Sequence, residues 1–284
     1  MSTVKPYLTY EQQLQLLKDR GCIITDDEFS KTVLANVSYY RLSAYFLPFK
    51  NPDSSYKPGT SFEKVYHIYE FDRKLRSILF AAIEVVEVFF RARLAYFHAG
   101  KYGPLGYLDP TSFNAKHDAK KFLDLINQEI KNNEKVPFVR HHLDNYAGQF
   151  PLWVIVELFT FGNLSCFYAD MTTADRKAFA GRHYNDMIGW LKCCSGLRNI
   201  CAHYGRLYNR VFGSIPVGLG LAENEKRSLW GAVVCLKELY PSADKWNREI
   251  IPLLSSLFDE YKNDIELSHM AFPADWIQKL KKSI

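Results

Sequence analysis

The six cysteines, Cys22, Cys166, Cys193, Cys194, Cys201 and Cys235, include no Cys-x-x-Cys pair, and no secretory signal pattern opens the chain. Structural disulfides are therefore not expected, and a reducing cytoplasm is the expected setting. Long hydrophobic runs are also missing. The longest uncharged stretches, such as Leu158 to Ala169, fall well short of the roughly 20 residues a helix needs to cross a bilayer. There is no Walker loop, dinucleotide-binding glycine fingerprint, HExxH or GxSxG, and no nucleotide-transfer motif. The adjacent pairs His141-His142 and Cys193-Cys194 do not suggest a metal site, because neighbours on a helix point about 100° apart. No metal and no cofactor is expected. Strand-like alternation, long repeats and low-complexity tracts are absent too, which leaves an all-α fold.

What is present is a large apolar fraction, 48% of 284 residues, enough for a sizeable core, and a net charge of +5. That mild excess tolerates a polyanion without demanding one, but its distribution is uneven. From Met187 to Ala222 there is no Asp or Glu, while Lys192, Arg198, Arg206 and Arg210 fall inside. This window reads either as a locally positive surface or as a neutral buried helix followed by a Gly-rich loop.

Helix signals run along the whole chain. Thr9 with Gln12 forms a capping-box pattern before a helix near 10–20, and Asp26-Asp27 precede a second stretch that ends at Pro48. Thr60 with Glu63 suggests another capping box. Beyond it the pattern stays helical to about Ala99 without Pro or Gly. In this long helix Ile83, Val86, Phe90, Leu94 and Phe97 mark the core face, and Glu84, Glu87, Arg91 and His98 share another. Further helices are predicted near 114–132, 137–147, 152–171 with an interruption at Phe161-Gly162, and at 173–182, 185–205, 225–240, 244–262 and 273–282. Residues 1–60 read as an N-terminal helical region packed on a domain of residues 61–284, together one compact unit.

On the predicted helix 185–205, Trp190, Cys193, Leu197, Ile200, Tyr204 and Leu207 recur at steps of three and four and define a buried face. Arg198, Asn199, His203 and Arg206 then occupy an arc of roughly 140° on the side away from it. Ser195 and Ala202 lie in the same arc, where small residues would let another helix approach. A histidine can move protons near neutral pH, and an arginine can hold a phosphate and stabilise charge developing on it. Such a pair suits RNA cleavage, because the substrate's own 2′-hydroxyl is the nucleophile and no metal-activated water is needed. Spacing alone does not decide the matter, since Arg93 and His98 share it within an ordinary amphipathic helix. Cys201, inside the same string, has apolar neighbours and reads as a packing residue.

The longer string Leu197-Arg-Asn-Ile-Cys-Ala-His-Tyr-Gly-Arg-Leu-Tyr-Asn-Arg210 resembles the signature of the Abi-like abortive-infection family, the AbiD/AbiF group of bacteriophage-resistance proteins. The resemblance extends through Asn36 to Phe49, Val65 to Arg76 with its Tyr69-Glu-Phe-Asp-Arg, Ile83 to Arg91 and Pro151 to Ser165, and so covers most of the chain. That family looks like a branch of the HEPN superfamily. The resemblance implies a helical-bundle domain that dimerises and places two Arg-x4-His motifs together as a metal-independent ribonuclease site in phage defence. It also implies, for some members, restraint by a small RNA or a protein antitoxin. The motif falls on Arg198, Asn199 and His203, with Arg206 and Arg210 in support. Glu87 and Arg91 read either as a buttress of that site or as a plain intrahelical ion pair. Lys192, Tyr39, Tyr40 and Arg41 are candidate RNA contacts, although tyrosines at helical spacing are more often core. The alternative to an enzyme is a non-catalytic RNA-binding or toxin–antitoxin regulatory module that uses the same basic surface.

Overall fold

A computed structural model describes Val4 and residues 6–213 and 216–283. Ser214 and Ile215 of the acid-free window, and Met1 to Thr3 and Lys5 at the start of the N-terminal region, lie outside them. The first helix, α1 (Tyr10–Asp19), forms as its signals predict: the Thr9 hydroxyl accepts from the Gln12 N–H, and the Gln12 side chain returns to the Thr9 N–H. α2 (Asp27–Val37) starts on the Asp26 carboxylate and stops at Ser38, whose φ of 66° breaks the helix. Ser38 then caps α3 (Tyr39–Phe46).

α4 (Phe62–Tyr102) follows, 41 residues long and therefore about 60 Å from end to end. Its start corrects the Thr60–Glu63 capping box. Ser61 is the cap, accepting from the Lys64 N–H, while the Glu63 carboxylate accepts from the Thr25 N–H and hydroxyl and so ties α4 to the entry of α2. Ile83, Val86, Phe90 and Leu94 are buried and Phe97 half-buried. His98, expected on an outer face, is wholly buried instead.

After α5 (Ala119–Asn132) and α6 (Pro137–Asn145), the apolar stretch 152–171 splits into α7 (Leu152–Ile155) and α8 (Phe161–Asp170). The break falls at Phe159-Thr160, because Thr160 caps α8, and Gly162 sits inside the first turn of that helix. Next come α9 (Thr173–Ala180), α10 (Asp186–Ala202) and α11 (Leu229–Leu239). The C-terminal part holds α12 (Ala243–Lys245), a π-helical turn at Trp246–Ile250, α13 (Ile251–Glu260) and α14 (Trp276–Leu280).

Among the described residues there is no strand, so the architecture is all-α. α4 is the spine: α3, α7, α8, α10, α11 and α13 pack along it, and α10 is wedged between α4, α8 and α11. The buried side chains form one continuous core from Leu14 and Leu17 of α1 to Leu280 of α14. Ser195, expected to admit a neighbouring helix, does so within the chain. It is buried against Gly162 of α8, where a Cβ would lie 3.5 Å from the serine oxygen. Among the described residues no helix is long and apolar enough to cross a membrane.

Candidate active site at the end of helix α10

The helix carrying Arg198 is shorter than its periodicity predicts. It ends at Ala202 with His203 as the capping residue, and Tyr204 turns into the left-handed region at φ 57°. The Tyr204 N–H donates to the Cys201 carbonyl at 3.2 Å and the Gly205 N–H to Ile200 at 2.7 Å, a left-handed C-terminal cap that satisfies two free carbonyls of the last turn. Glycine usually holds the left-handed position of such a cap. Here a tyrosine holds it and the glycine follows, at a point where a Cβ would stand 3.0 Å from the Ile200 side chain. Tyr204 is thereby thrown outward and is 70% exposed, which corrects its place on the buried stripe.

The turn after the cap is fastened from three sides. The Arg41 guanidinium of α3 donates to the Tyr204 carbonyl at 2.6 Å, and Arg76 of α4 donates to the Gly205 carbonyl at 3.2 Å. Asp72, wholly buried one helical turn before Arg76, accepts from the N–H groups of Leu207 and Tyr208 at 3.1 and 2.7 Å. It also accepts from the Tyr45 hydroxyl at 2.7 Å and from Arg76 itself. Arg206 does not share an arc with Arg198. It lies beyond the helix, and its guanidinium donates to the carbonyls of Ala44 and Asn209. Arg210 is exposed and donates to the Arg206 carbonyl at 3.4 Å.

Arg198 and His203 take different directions. Arg198 faces α4, its Nε 3.7 Å from a Glu87 oxygen and its guanidinium 5.9 Å from the Phe80 ring centre. That Nε is buried without a hydrogen bond, while the side chain as a whole remains 32% exposed. Glu87 also accepts from Arg91 at 3.0 Å, and Arg91 goes on to Glu157 at 3.2 Å and the Phe159 carbonyl at 2.8 Å. One carboxylate thus sits between two guanidinium groups, hydrogen-bonded to Arg91 and in charge contact with Arg198. His203 and Asn199 are exposed, and among the described residues neither side chain makes a hydrogen bond. The imidazole is therefore free to meet a substrate, and the outer edge of Arg198 is free to meet an anion.

Beside the end of α10 lies a cleft of about 620 Å³ between α2, α3 and α4, with Arg41, Tyr69, Arg73, Phe80, Ala202 and Tyr204 in its wall. Arg41 comes into it from α3, 5.7 Å from the Tyr69 ring centre and 6.0 Å from that of Tyr204. Of the other candidate RNA contacts, Tyr40 and Lys192 are exposed, whereas Tyr39 is half-buried and its hydroxyl accepts from Arg20 at 3.2 Å. Asp72, Arg76, Tyr69, Arg73 and Phe80 carry no role on sequence grounds. The available signal was a pair of opposite charges, Asp72 and Arg76, set four apart on the core side of a helix between Ile68 and Leu79.

The control pair has structural employment. Arg93 donates to the Phe179 carbonyl at 2.6 Å, and His98 is packed among aromatic rings. Cys201 is buried, and burial pushes its thiol up to about 12, which keeps it an apolar packing group. Among the described residues no group of three or more His, Cys, Asp or Glu is placed to hold a metal ion.

No curated protein and no solved structure matches the chain. The family model described as Abi-like protein matches residues 32–209. That span runs from α2 through the whole of α4 and α10 to the turn held by Asp72, more than half of the sequence. The chain belongs to the Abi-like protein family.

Proposed function

We propose that the chain is a metal-independent endoribonuclease of the HEPN type acting in abortive-infection phage defence. The observation that carries this reading is the placing of an exposed His203, unpartnered among the described residues, and a half-exposed Arg198 on the last turn of α10, beside an arginine- and tyrosine-lined cleft. In the proposed step His203 takes the proton of the substrate's 2′-hydroxyl as that oxygen attacks the adjacent phosphorus. The bond from phosphorus to the 5′-oxygen breaks, and the departing oxygen takes up a proton from water, the proton held on His203 then returning to solvent. The products are a 2′,3′-cyclic phosphate and a 5′-hydroxyl. Arg198 holds the phosphate and offsets the charge that builds on its oxygens, Glu87, itself held by Arg91, positions Arg198, and Asn199 orients the phosphate or the imidazole.

Within one chain Arg198 faces α4 while His203 faces outward, about 140° further round the helix and about 7.5 Å along it. A second copy that brings its own motif alongside would complete the site, so the proposed active species is a homodimer. A small RNA or a protein antitoxin is the proposed restraint on it in the cell.

The test is to incubate wild-type, Arg198→Ala and His203→Ala protein with labelled single-stranded RNA in excess chelator and to follow the fragments and their 3′ ends. Wild-type cleavage leaving 2′,3′-cyclic phosphate is expected, with a loss of at least about a hundredfold in either variant. RNA that is bound but uncut by all three proteins would replace the enzyme with a non-catalytic binding module.

A further inference from the structure

We propose that the cleft beside Tyr204 is a subsite for one unpaired nucleotide of the RNA strand, with the base against the Tyr204 and Tyr69 rings and a phosphate on Arg41 and Arg73. This rests on the ribonuclease reading and says where the strand next to the cut phosphate goes. At about 620 Å³ the cleft falls within the ~300–1,000 Å³ typical of small-molecule sites. Its wall contains three arginines, Arg41, Arg73 and Arg76, and among the described residues no carboxylate lines it. Two of the three are already engaged. Arg76 is paired with buried Asp72, and Arg73 with Glu70 at 2.9 Å. Arg41 has no carboxylate partner among the described residues, and its charge is held between two tyrosine rings. Arg73 stands at the exposed rim, where Glu70 grips its Nε and Nη2 at 3.1 and 2.9 Å and, among the described residues, its Nη1 makes no hydrogen bond and is left for a phosphate oxygen.

The chemistry that fits this wall is a flat π-system carrying a negative charge. Tyrosine and guanidinium faces stack on any base, and arginine takes a phosphate oxygen. The backbone at Tyr204 points the same way. The left-handed conformation disfavours a tyrosine, and the hydrogen bond from Arg41 to its carbonyl holds it there. What the strained turn achieves is to present an aromatic ring next to His203. On the other flank of Arg41 and Tyr204 a second cleft of about 370 Å³ is lined by Tyr40 and Arg206. The two clefts share Arg41 and Tyr204 as a common wall, so a strand seated in one has a second cleft next to it, which favours a strand over a free mononucleotide of the same chemistry.

The experiment measures binding apart from cleavage. A fluorescent 2′-O-methyl oligonucleotide, which lacks the attacking hydroxyl, is titrated with the full chain and followed by anisotropy, with free 5′-AMP as competitor. Tyr204→Ala is expected to weaken binding about tenfold or more, as loss of one stacked base would, and Tyr204→Phe to bind within about twofold of wild type. Arg73→Ala is expected to weaken it several-fold and to lower the slope against log salt by about one. Thermal melting of each variant checks that the fold is intact. Unchanged binding by Tyr204→Ala overturns the subsite and leaves the ribonuclease standing if His203→Ala still abolishes cleavage. Loss of binding in Tyr204→Ala, together with no RNA cut by wild type, keeps the subsite and removes the ribonuclease. Displacement of the oligonucleotide by 5′-AMP at equal concentration would assign the cleft to a free nucleotide and overturn its place on the strand.

Discussion

His98 shows what a motif-like spacing can conceal. Its ring packs 5.4 Å from Phe113 and 5.0 Å from Phe167, and neither ring nitrogen has a hydrogen-bond partner. Burial lowers its pKa from 6.5 to about 4, against a smaller opposing pull from Asp175. In the unfolded chain the same histidine takes up a proton near pH 6.5. Between those two values the unfolded state binds a proton that the folded state refuses, so stability falls as pH drops through that window and levels off below about 4. The loss amounts to about 3 kcal/mol in full. Replacing the ring with an apolar one, as in His98→Phe, should remove this contribution. Urea midpoints of wild type and variant measured from pH 7.5 to 4 are expected to diverge steadily as the pH is lowered, with the variant the more stable. Parallel curves would show that His98 gains a proton while folded.

At the scale of elements, the sequence makes the helices legible wherever caps and periodicity agree, as in α1 and the long run of α4. It misplaces boundaries by a residue or two where two capping residues stand side by side. Thr60 and Ser61 are equally good caps, and only the fold shows that Glu63 is drawn away to Thr25. The end of α10 fails for a different reason. Tyr204 and Leu207 continue the three-and-four spacing, and a left-handed tyrosine has no local signature; the signal was Gly205, one position late. The pairing of Glu87 with Arg91 was readable because both lie on one helix, and its extension to Arg198 was not, since the two residues come from different helices. The same limit hid Asp72, whose partners Leu207 and Tyr208 are 135 and 136 residues away. That carboxylate joins α4 to the exit of α10, so its loss should be felt in both. Asp72→Ala leaves Arg76 charged and unpaired in the core and frees two N–H groups. Urea unfolding should report a loss of about 3–5 kcal/mol, and RNA cleavage should fall with it. A change below about 1 kcal/mol would mean that the turn is held by Arg41 and Arg206 without Asp72.

On the surface of the molecule, one side of α4 carries an apolar stripe that no other described residue covers. Along the outer side of α4, Ala81, Val85, Val88 and Ala92 recur at steps of four, three and four and are all exposed, Val88 to 59%. Phe80 and Phe89 flank them, also exposed, and Glu84 and Arg91 stand along one edge. Small and β-branched side chains leave room for a second helix to approach to about 8–10 Å, and a helix face of this kind is complementary to its own copy across a twofold axis. The face borders the turns of α4 that hold Glu87 and Arg91, so a dimer built on it would set the Arg198 clusters of the two chains near each other. That is the arrangement the divided site of a single chain calls for. Val88→Glu tests it, because the side chain is exposed in the monomer and the substitution leaves the core untouched. Across a twofold contact, however, it would set two carboxylates close together in an apolar seam. Light scattering on the eluting protein should give the mass of two chains for wild type and of one for Val88→Glu, with melting temperatures that match once dissociation is allowed for. RNA cleavage should drop in the variant even though Arg198 and His203 are intact, and mixing it with His203→Ala protein should not restore it. A Val88→Glu protein that remains dimeric would move the interface elsewhere, and one that is monomeric yet fully active would show that a single chain holds the complete site.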